Sequence, residues 1–224
     1  MSAFIIVPVK KLDIAKSRLS PLLSTDERKQ FCLEMLKDVL TTIKMTKYIQ
    51  QTVVTSRDRT VVQIADDFGA LSFEESELGL NQVVSEVVNW CIRKKALSTL
   101  ILPADIPLVT PSDVDRILTS QENSGVVISP SRSGEGTNAL LLAPPNVIPT
   151  FYGAHSFQRH IEEASRQGIN IRMLRSSRVA LDIDTVEDLM TFLLSKAEKT
   201  YSYCFLTERG VHERLVSLKK NFMV

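Results

Sequence analysis

A chain of 224 residues with 44% hydrophobic and 24% charged residues and a formal net charge of +1 has the make-up of a single soluble α/β-sized domain. That balance suits neither a nucleic-acid groove nor an anionic membrane face, and no apolar run nears the roughly 18 residues needed to span a bilayer, so no nucleic acid and no membrane is expected as a partner. Cys32, Cys91 and Cys204 stand in no paired or metal-ligand spacing, which argues against a disulfide framework and structural zinc.

In chain order, "MSAFIIVPVKK" lacks a positively charged leader and a small-residue cleavage site, so it reads as the first strand of a cytoplasmic protein. The β-branched runs "AFIIVPV" (3–9), "QTVVTS" (51–56), "STLILPA" (98–104), "GVVISP" (125–130) and "NALLLA" (138–143) are predicted strands. Between the first two, Ser24 and Glu27 have capping-box spacing and Cys32, Met35, Val39 and Ile43 form one helical stripe. Leu80, Val83, Val84, Val87, Val88 and Cys91 form a second stripe, and Thr110 followed by Pro111 opens a third helix with Val114, Ile117 and Leu118 inward. Strands alternating with helices predict a Rossmann-like three-layer sandwich, a mostly parallel mixed sheet with helices on both faces. Residues 1–198 are read as one domain. Residues 199–224 are an extension without clear pattern, read as a dimerising or an edge-covering arm, so a homodimer is an open expectation.

In an open α/β sheet, ligands bind beyond the carboxyl ends of the strands. After the first strand, "PVKKLDIAKSRL" places Lys10, Lys11, Lys16 and Arg18 in a loop that is either a solvated basic segment or a phosphate-binding one, with neither a Walker A nor a GxGxxG pattern. After the third predicted strand, Asp105 stands between Pro103 and Pro107, as an Asx-turn residue or a ligand-facing carboxylate. In "ALDIDTVEDL", an extended backbone aims Asp182 and Asp184 to one side and Leu181 and Ile183 to the other. Two carboxylates aimed together call for a cation, and hard oxygen ligands suit magnesium. Asp184 with Glu187 also has N-cap spacing, which spacing alone favours for Asp184 and which leaves Asp182 unexplained. "SRSGEGTNALLL" is compatible with a hairpin turn or a tight ligand loop, and a helix is predicted to open with Ser156 at its cap, a ready anion site. His160 reads as a polar helix residue, and Trp90 with the phenylalanines as core.

In combination, "VPVKKLDIAKSRL", "GLNQVV", "LPADIPLVTPSDV", "GTNALLLAPP", "YGAHSFQRHIEEA" and "LDIDTVEDL" resemble the motifs of the 2-phospho-L-lactate guanylyltransferases of coenzyme F420 biosynthesis, over residues 3 to about 194. The resemblance implies a GT-A-like nucleotidyltransferase fold. It also implies transfer of GMP from GTP to the phosphate of a small phosphorylated carboxylic acid, 2-phospho-L-lactate or, in bacterial relatives, phosphoenolpyruvate, with magnesium as cofactor. Carried over by position, Lys10, Lys16 and Arg18 belong to the triphosphate segment, Gly79 and Asn81 to the guanine pocket, Asp105, Asp182 and Asp184 to the metal site, and Thr137, Gly153 and Ser156 to the acceptor site. Lys16, Arg18 and Asp105 are the implied catalytic residues. Where relatives read GGTN, this chain has Glu135 between Gly134 and Gly136, and the acid is expected to point outward. The rival readings are the same chemistry on phosphoenolpyruvate, 3-phosphoglycerate or a sugar phosphate, and a non-catalytic nucleotide-binding regulatory subunit.

Overall fold

The structure is a computed structural model that describes residues 3–9, 11–74, 79–120 and 125–221. Seven strands form one mixed sheet: β1 (Ala3–Pro8), β2 (Ile49–Thr55), β3 (Leu71–Phe73), β4 (Thr99–Ile101), β5 (Gly125–Pro130), β6 (Thr137–Ala143) and β7 (Ile171–Met173), in the order β3-β2-β1-β4-β6-β5-β7. Every neighbouring pair is parallel except the two made by β6, which runs against both β4 and β5. The predicted α/β architecture is therefore the observed one.

The central strands are buried on both faces, which is why β1 reads as a continuous apolar run rather than an alternating one. Ile5 and Val7 pack with α1 (Thr25–Lys44), α2 (Arg59–Asp67) and α4 (Pro111–Thr119). Phe4 and Ile6 face the other way, against α3 (Leu80–Arg93) and α5 (Ser156–Arg166). The expected caps of α1 and α4 are present: Ser24 and Glu27 form a reciprocal box, as do Thr110 and Asp113, with Pro111 in the first turn.

A third cluster lies on another face of α1. Phe31 and Met35 meet Leu181 and Ile183, α7 (Val186–Leu194), α8 (Tyr201–Glu208) and α9 (Val211–Asn221). The stretch that the sequence left unplaced is thus a helix pair folded onto α1. Asp38 of α1 fixes it by accepting from the amides of Tyr201 (2.6 Å) and Ser202 (3.0 Å) and from the Ser202 hydroxyl. Burial pushes the Asp38 carboxyl up to about 6 despite these bonds. Phe31 and Phe192 are fully buried here, so truncating either to alanine costs about 3–5 kcal/mol.

Candidate active site

The first half of the site is assembled at the carboxyl ends of β1 and β4. After β1 the chain makes two 3-10 turns, Leu12–Ile14 and Ser17–Leu19, anchored by the buried Leu12 and Leu19. Between them Lys16 adopts a left-handed backbone, φ 53°, a strained conformation for a side chain with a Cβ. Its side chain runs inward and is only 7% exposed. The ammonium donates to Asp105 Oδ2 and to Asp184 Oδ1, both at 2.6 Å, joining residues that are 89 and 168 positions away in the chain.

Asp105 lies in the turn after β4, and its own carbonyl accepts from the Ile183 amide at 3.0 Å. That bond, with Leu181 and Ile183 buried in the third cluster, ties residues 181–184 to the same sheet edge. Asp184 does not cap α7. The cap is Thr185, in a reciprocal box with Asp188, and the shift by one residue frees the Asp184 side chain for Lys16. Asp182 is held separately, accepting from Asn138 Nδ2 at 2.9 Å.

Electrostatics set the protonation states. Burial would lower the Lys16 ammonium, but Asp105 and Asp184 outweigh it and hold the group above its ordinary range. Asp182 is pushed up by burial first, then by the carboxylates of Asp105 and Asp184, against the Asn138 hydrogen bond. Asp182 and Asp184, expected to share a cation, take different partners: the Lys16 ammonium bridges Asp184 to Asp105, and Asp182 accepts from Asn138. Asp105 Oδ1 is nonetheless buried with no hydrogen-bond partner. A bare carboxylate oxygen beside two other carboxylates fits magnesium, which typically takes one or two protein carboxylates and completes its shell with phosphate oxygens and water. Among the described residues no group of three or more His, Cys, Asp or Glu side chains is placed to hold a metal ion, so the fit rests on Asp105 with at most one further carboxylate.

The second half is built on the start of β6, whose reversed direction brings its amino end to the carboxyl edge of β4. Ser129 pairs with Ala139 but Pro130 pairs with Thr137, so Asn138 is the extra residue of a β-bulge. In consequence Asn138 faces the α4 side, bonding the Val179 carbonyl at 3.0 Å and Asp182, while Thr137 faces α5. There Thr137 Oγ1 accepts from Ser156 Oγ at 3.2 Å and lies 3.1 Å from His160 Nδ1. His160 is completely buried, and its Nε2 accepts from the Phe151 amide at 2.9 Å. Burial first, with the Arg159 charge adding to it, lowers the His160 pKa to about 4 against a ring hydrogen bond with the Ser156 backbone. The imidazole is neutral at pH 7.

Ser156 is the first helical residue of α5 rather than its cap; His155 holds that position in a left-handed conformation, φ 54°, without a side-chain capping bond. The Glu135 carbonyl instead accepts from the Phe157 amide at 3.0 Å, and the Glu135 side chain is exposed, outward as expected. Gly153 has φ +119°, a conformation that side chains rarely adopt, and carries the loop between Tyr152 and α5.

A family model described as "Guanylyl transferase CofC like" matches residues 3–220. The chain belongs to this guanylyl transferase family. A phosphoenolpyruvate guanylyltransferase of Rubrobacter xylanophilus is 38% identical over 190 residues, covering 84% of this chain and 92% of its own. A 2-phospho-L-lactate guanylyltransferase of Methanocaldococcus vulcanius is 34% identical over 209 residues, 93% of this chain and 91% of its own. Among solved structures, one described as a nucleotide-diphospho-sugar transferase of Desulfovibrio desulfuricans superposes with a TM-score of 0.79 at 16% identity, over 96% of this chain and 99% of that one. CMP:2-keto-3-deoxy-manno-octonic acid synthetase complexed with CTP superposes at 0.60, with 15% identity over 89% and 100%. The guanylyl transferase family and this fold together make the protein a nucleotidyltransferase.

The remaining residues singled out in the guanylyl transferase motifs are dispersed around these two halves. Arg18 is exposed in the second 3-10 turn, and Lys10 lies outside the described residues. Gly79 is the N-cap of α3, and Asn81 spends its amide on Tyr152, accepting from its N–H at 2.6 Å and donating to its carbonyl at 2.9 Å. His160, read from the sequence as a polar helix residue, is fully buried against Thr137 and the Phe151 amide. Its spacing of four from Ser156 signals only the ring's hydrogen bond with the Ser156 backbone, one turn earlier.

Proposed function

We propose that the protein transfers GMP from GTP to the phosphate of 2-phospho-L-lactate, giving lactyl-2-diphospho-5'-guanosine and pyrophosphate, a cytoplasmic step of coenzyme F420 biosynthesis. The observation that carries this reading is the buried Lys16 ammonium bridging Asp105 and Asp184 at the sheet's carboxyl edge, beside an unpartnered Asp105 oxygen. An acceptor phosphate oxygen attacks the α-phosphorus of GTP, a new P–O bond forms, and the bond to the β-phosphate breaks with its electron pair leaving on pyrophosphate. The acceptor phosphate is largely a dianion at pH 7, its second pKa being about 6, so it needs no general base. The obstacle is repulsion: two unit charges about 4 Å apart repel by roughly 4 kcal/mol at an effective dielectric near 20.

Lys16 answers that repulsion from inside the site, and Lys10 and Arg18 meet the triphosphate from the loop. Gly79 and Asn81 border the guanine. Asp105, with Asp182 or Asp184, would hold a magnesium ion, which when bound neutralises phosphate charge as a Lewis acid. Thr137, Gly153 and Ser156 receive the acceptor. The names of the relatives favour a second acceptor, phosphoenolpyruvate, equally well. Incubating the protein with GTP, magnesium and each of 2-phospho-L-lactate, phosphoenolpyruvate and 3-phosphoglycerate, and measuring pyrophosphate, decides among them. Tight GTP binding with no pyrophosphate from any acceptor overturns the enzyme reading in favour of a regulatory nucleotide binder.

A further inference from the structure

We propose that His160 is a positioning residue that fixes the direction of the Thr137 hydroxyl proton, so that Thr137 meets the acceptor only as a hydrogen-bond donor. The inference rests on the reading of Thr137 as an acceptor-binding residue. Three bonds carry it. Phe151 donates its amide to His160 Nε2, so in the neutral ring that nitrogen is the acceptor and Nδ1 holds the hydrogen. Nδ1 lies 3.1 Å from Thr137 Oγ1 and, whether its hydrogen points there or is shared with the Ser156 backbone, it offers Thr137 no lone pair. Ser156 Oγ also donates to Thr137 Oγ1, at 3.2 Å. Both neighbours that touch this hydroxyl therefore present hydrogens to it, and its own hydrogen has no acceptor among them.

A hydroxyl so arranged is a preset donor. An anionic oxygen brought against it gains a charge-assisted bond without first reorienting the group. A ligand that presents a hydroxyl or ammonium hydrogen at the same point finds lone pairs already engaged. The bulge at Asn138 is what aims Thr137 at this trio, and the fully buried ring keeps the tautomer from being exchanged by solvent. His160 itself touches no substrate; its influence passes through Thr137.

The test compares His160→Phe, His160→Asn, Thr137→Val and the His160→Phe/Thr137→Val double variant, using whichever of 2-phospho-L-lactate and phosphoenolpyruvate is turned over. His160→Phe is expected to raise the acceptor KM by about tenfold to a hundredfold, the worth of a hydrogen bond to a charged group, with the GTP KM within about twofold. His160→Asn retains an N–H near the Nδ1 position and is expected to recover part of that loss, which also guards against a phenylalanine variant that fails to fold. The double variant is expected to be no worse than Thr137→Val alone, since His160 acts through that hydroxyl. Full additivity, or equal rises in both KM values, overturns the positioning role in favour of a general structural one. A normal acceptor KM in both His160 variants with a defective Thr137→Val overturns this inference alone. A normal Thr137→Val overturns the acceptor site and the inference with it.

Discussion

The two halves of the site are held together by opposite means. Around Lys16 the chain concentrates full charges: one buried ammonium between two carboxylates, with a third carboxylate pushed toward its neutral form nearby. Around Thr137 it uses three uncharged groups, a hydroxyl, a second hydroxyl and an imidazole kept neutral by burial. A charged cluster is strong but indifferent to direction, whereas a neutral chain of hydrogen bonds is weaker and fixes which atom donates. On the proposed function a triphosphate, with its several charges, meets the first. A small acid distinguished from its relatives by shape and hydrogen bonding meets the second.

The sharpest way to break the contrast is to remove charge from the first half. Asp105→Ala and Lys16→Gln are each expected to lower kcat for pyrophosphate release by about a hundredfold to a thousandfold while circular dichroism stays unchanged, the range seen when one preorganised electrostatic group is lost. Near-normal turnover in either variant removes that residue from the mechanism.

The next effect reads the neutral half through acid stability. His160 has its folded pKa depressed from 6.5 to about 4, so its contribution is fully present above pH 6.5 and is lost as pH falls toward 4, by about 3 kcal/mol at most. Asp38 runs the other way. Its folded pKa is raised from 3.8 to about 6, so burying it costs stability above pH 6, and that cost disappears as pH falls through the same window. The two nearly cancel in the native chain. Urea titrations at pH 4 and pH 6.5 are therefore expected to show a steeper acid loss in Asp38→Asn and a shallower one in His160→Phe; parallel changes in both variants contradict the assignment.

Smaller still is Asn81→Ala, which removes both backbone bonds to Tyr152 and is expected to cost about 2 kcal/mol in urea denaturation and to raise the acceptor KM through the Gly153 loop. An unchanged acceptor KM would show that the loop keeps its shape without this tether. Glu135→Gln marks the floor: its exposed charge is screened within a Debye length of about 8 Å, so the acceptor KM is expected to fall by less than about twofold at physiological salt.

How legible these features were follows from where their signals reside. The buried strands, the caps of α1 and α4 and the turn position of Asp105 are written in local runs of residues, and the structure has them where the sequence predicted. The edge strands β3 and β7 are three residues each and largely exposed, so they carry too little apolar pattern to detect. Asp184 and Thr185 are neighbours that both suit a helix cap, and local spacing favoured Asp184; in the structure Thr185 forms the box with Asp188, and Asp184 turns to the Lys16 ammonium, 168 positions away in the chain. His160 looked ordinary because its partners, Thr137 and the Phe151 amide, are set by folding rather than by proximity along the helix. The helices after residue 198 have weak stripes because their apolar residues are shared with α1 and α7.

The bulge in β6 has a consequence for what variation the chain tolerates. Regular alternation would send Thr137 toward the magnesium-fitting carboxylates and Asn138 toward His160, each to the wrong half. Removing Asn138 closes the bulge: Thr137 still pairs with Pro130 and, now directly before Ala139, still faces α5, while Asp182 and the Val179 carbonyl lose their amide partner. Removing Thr137 instead puts Asn138 in the place that faces His160, so that both halves lose a hydrogen-bonding group in a single event, while a substitution at either position disables only one. Two deletions of equal length at neighbouring positions therefore differ in reach, one confined to the carboxylate half and the other felt in both.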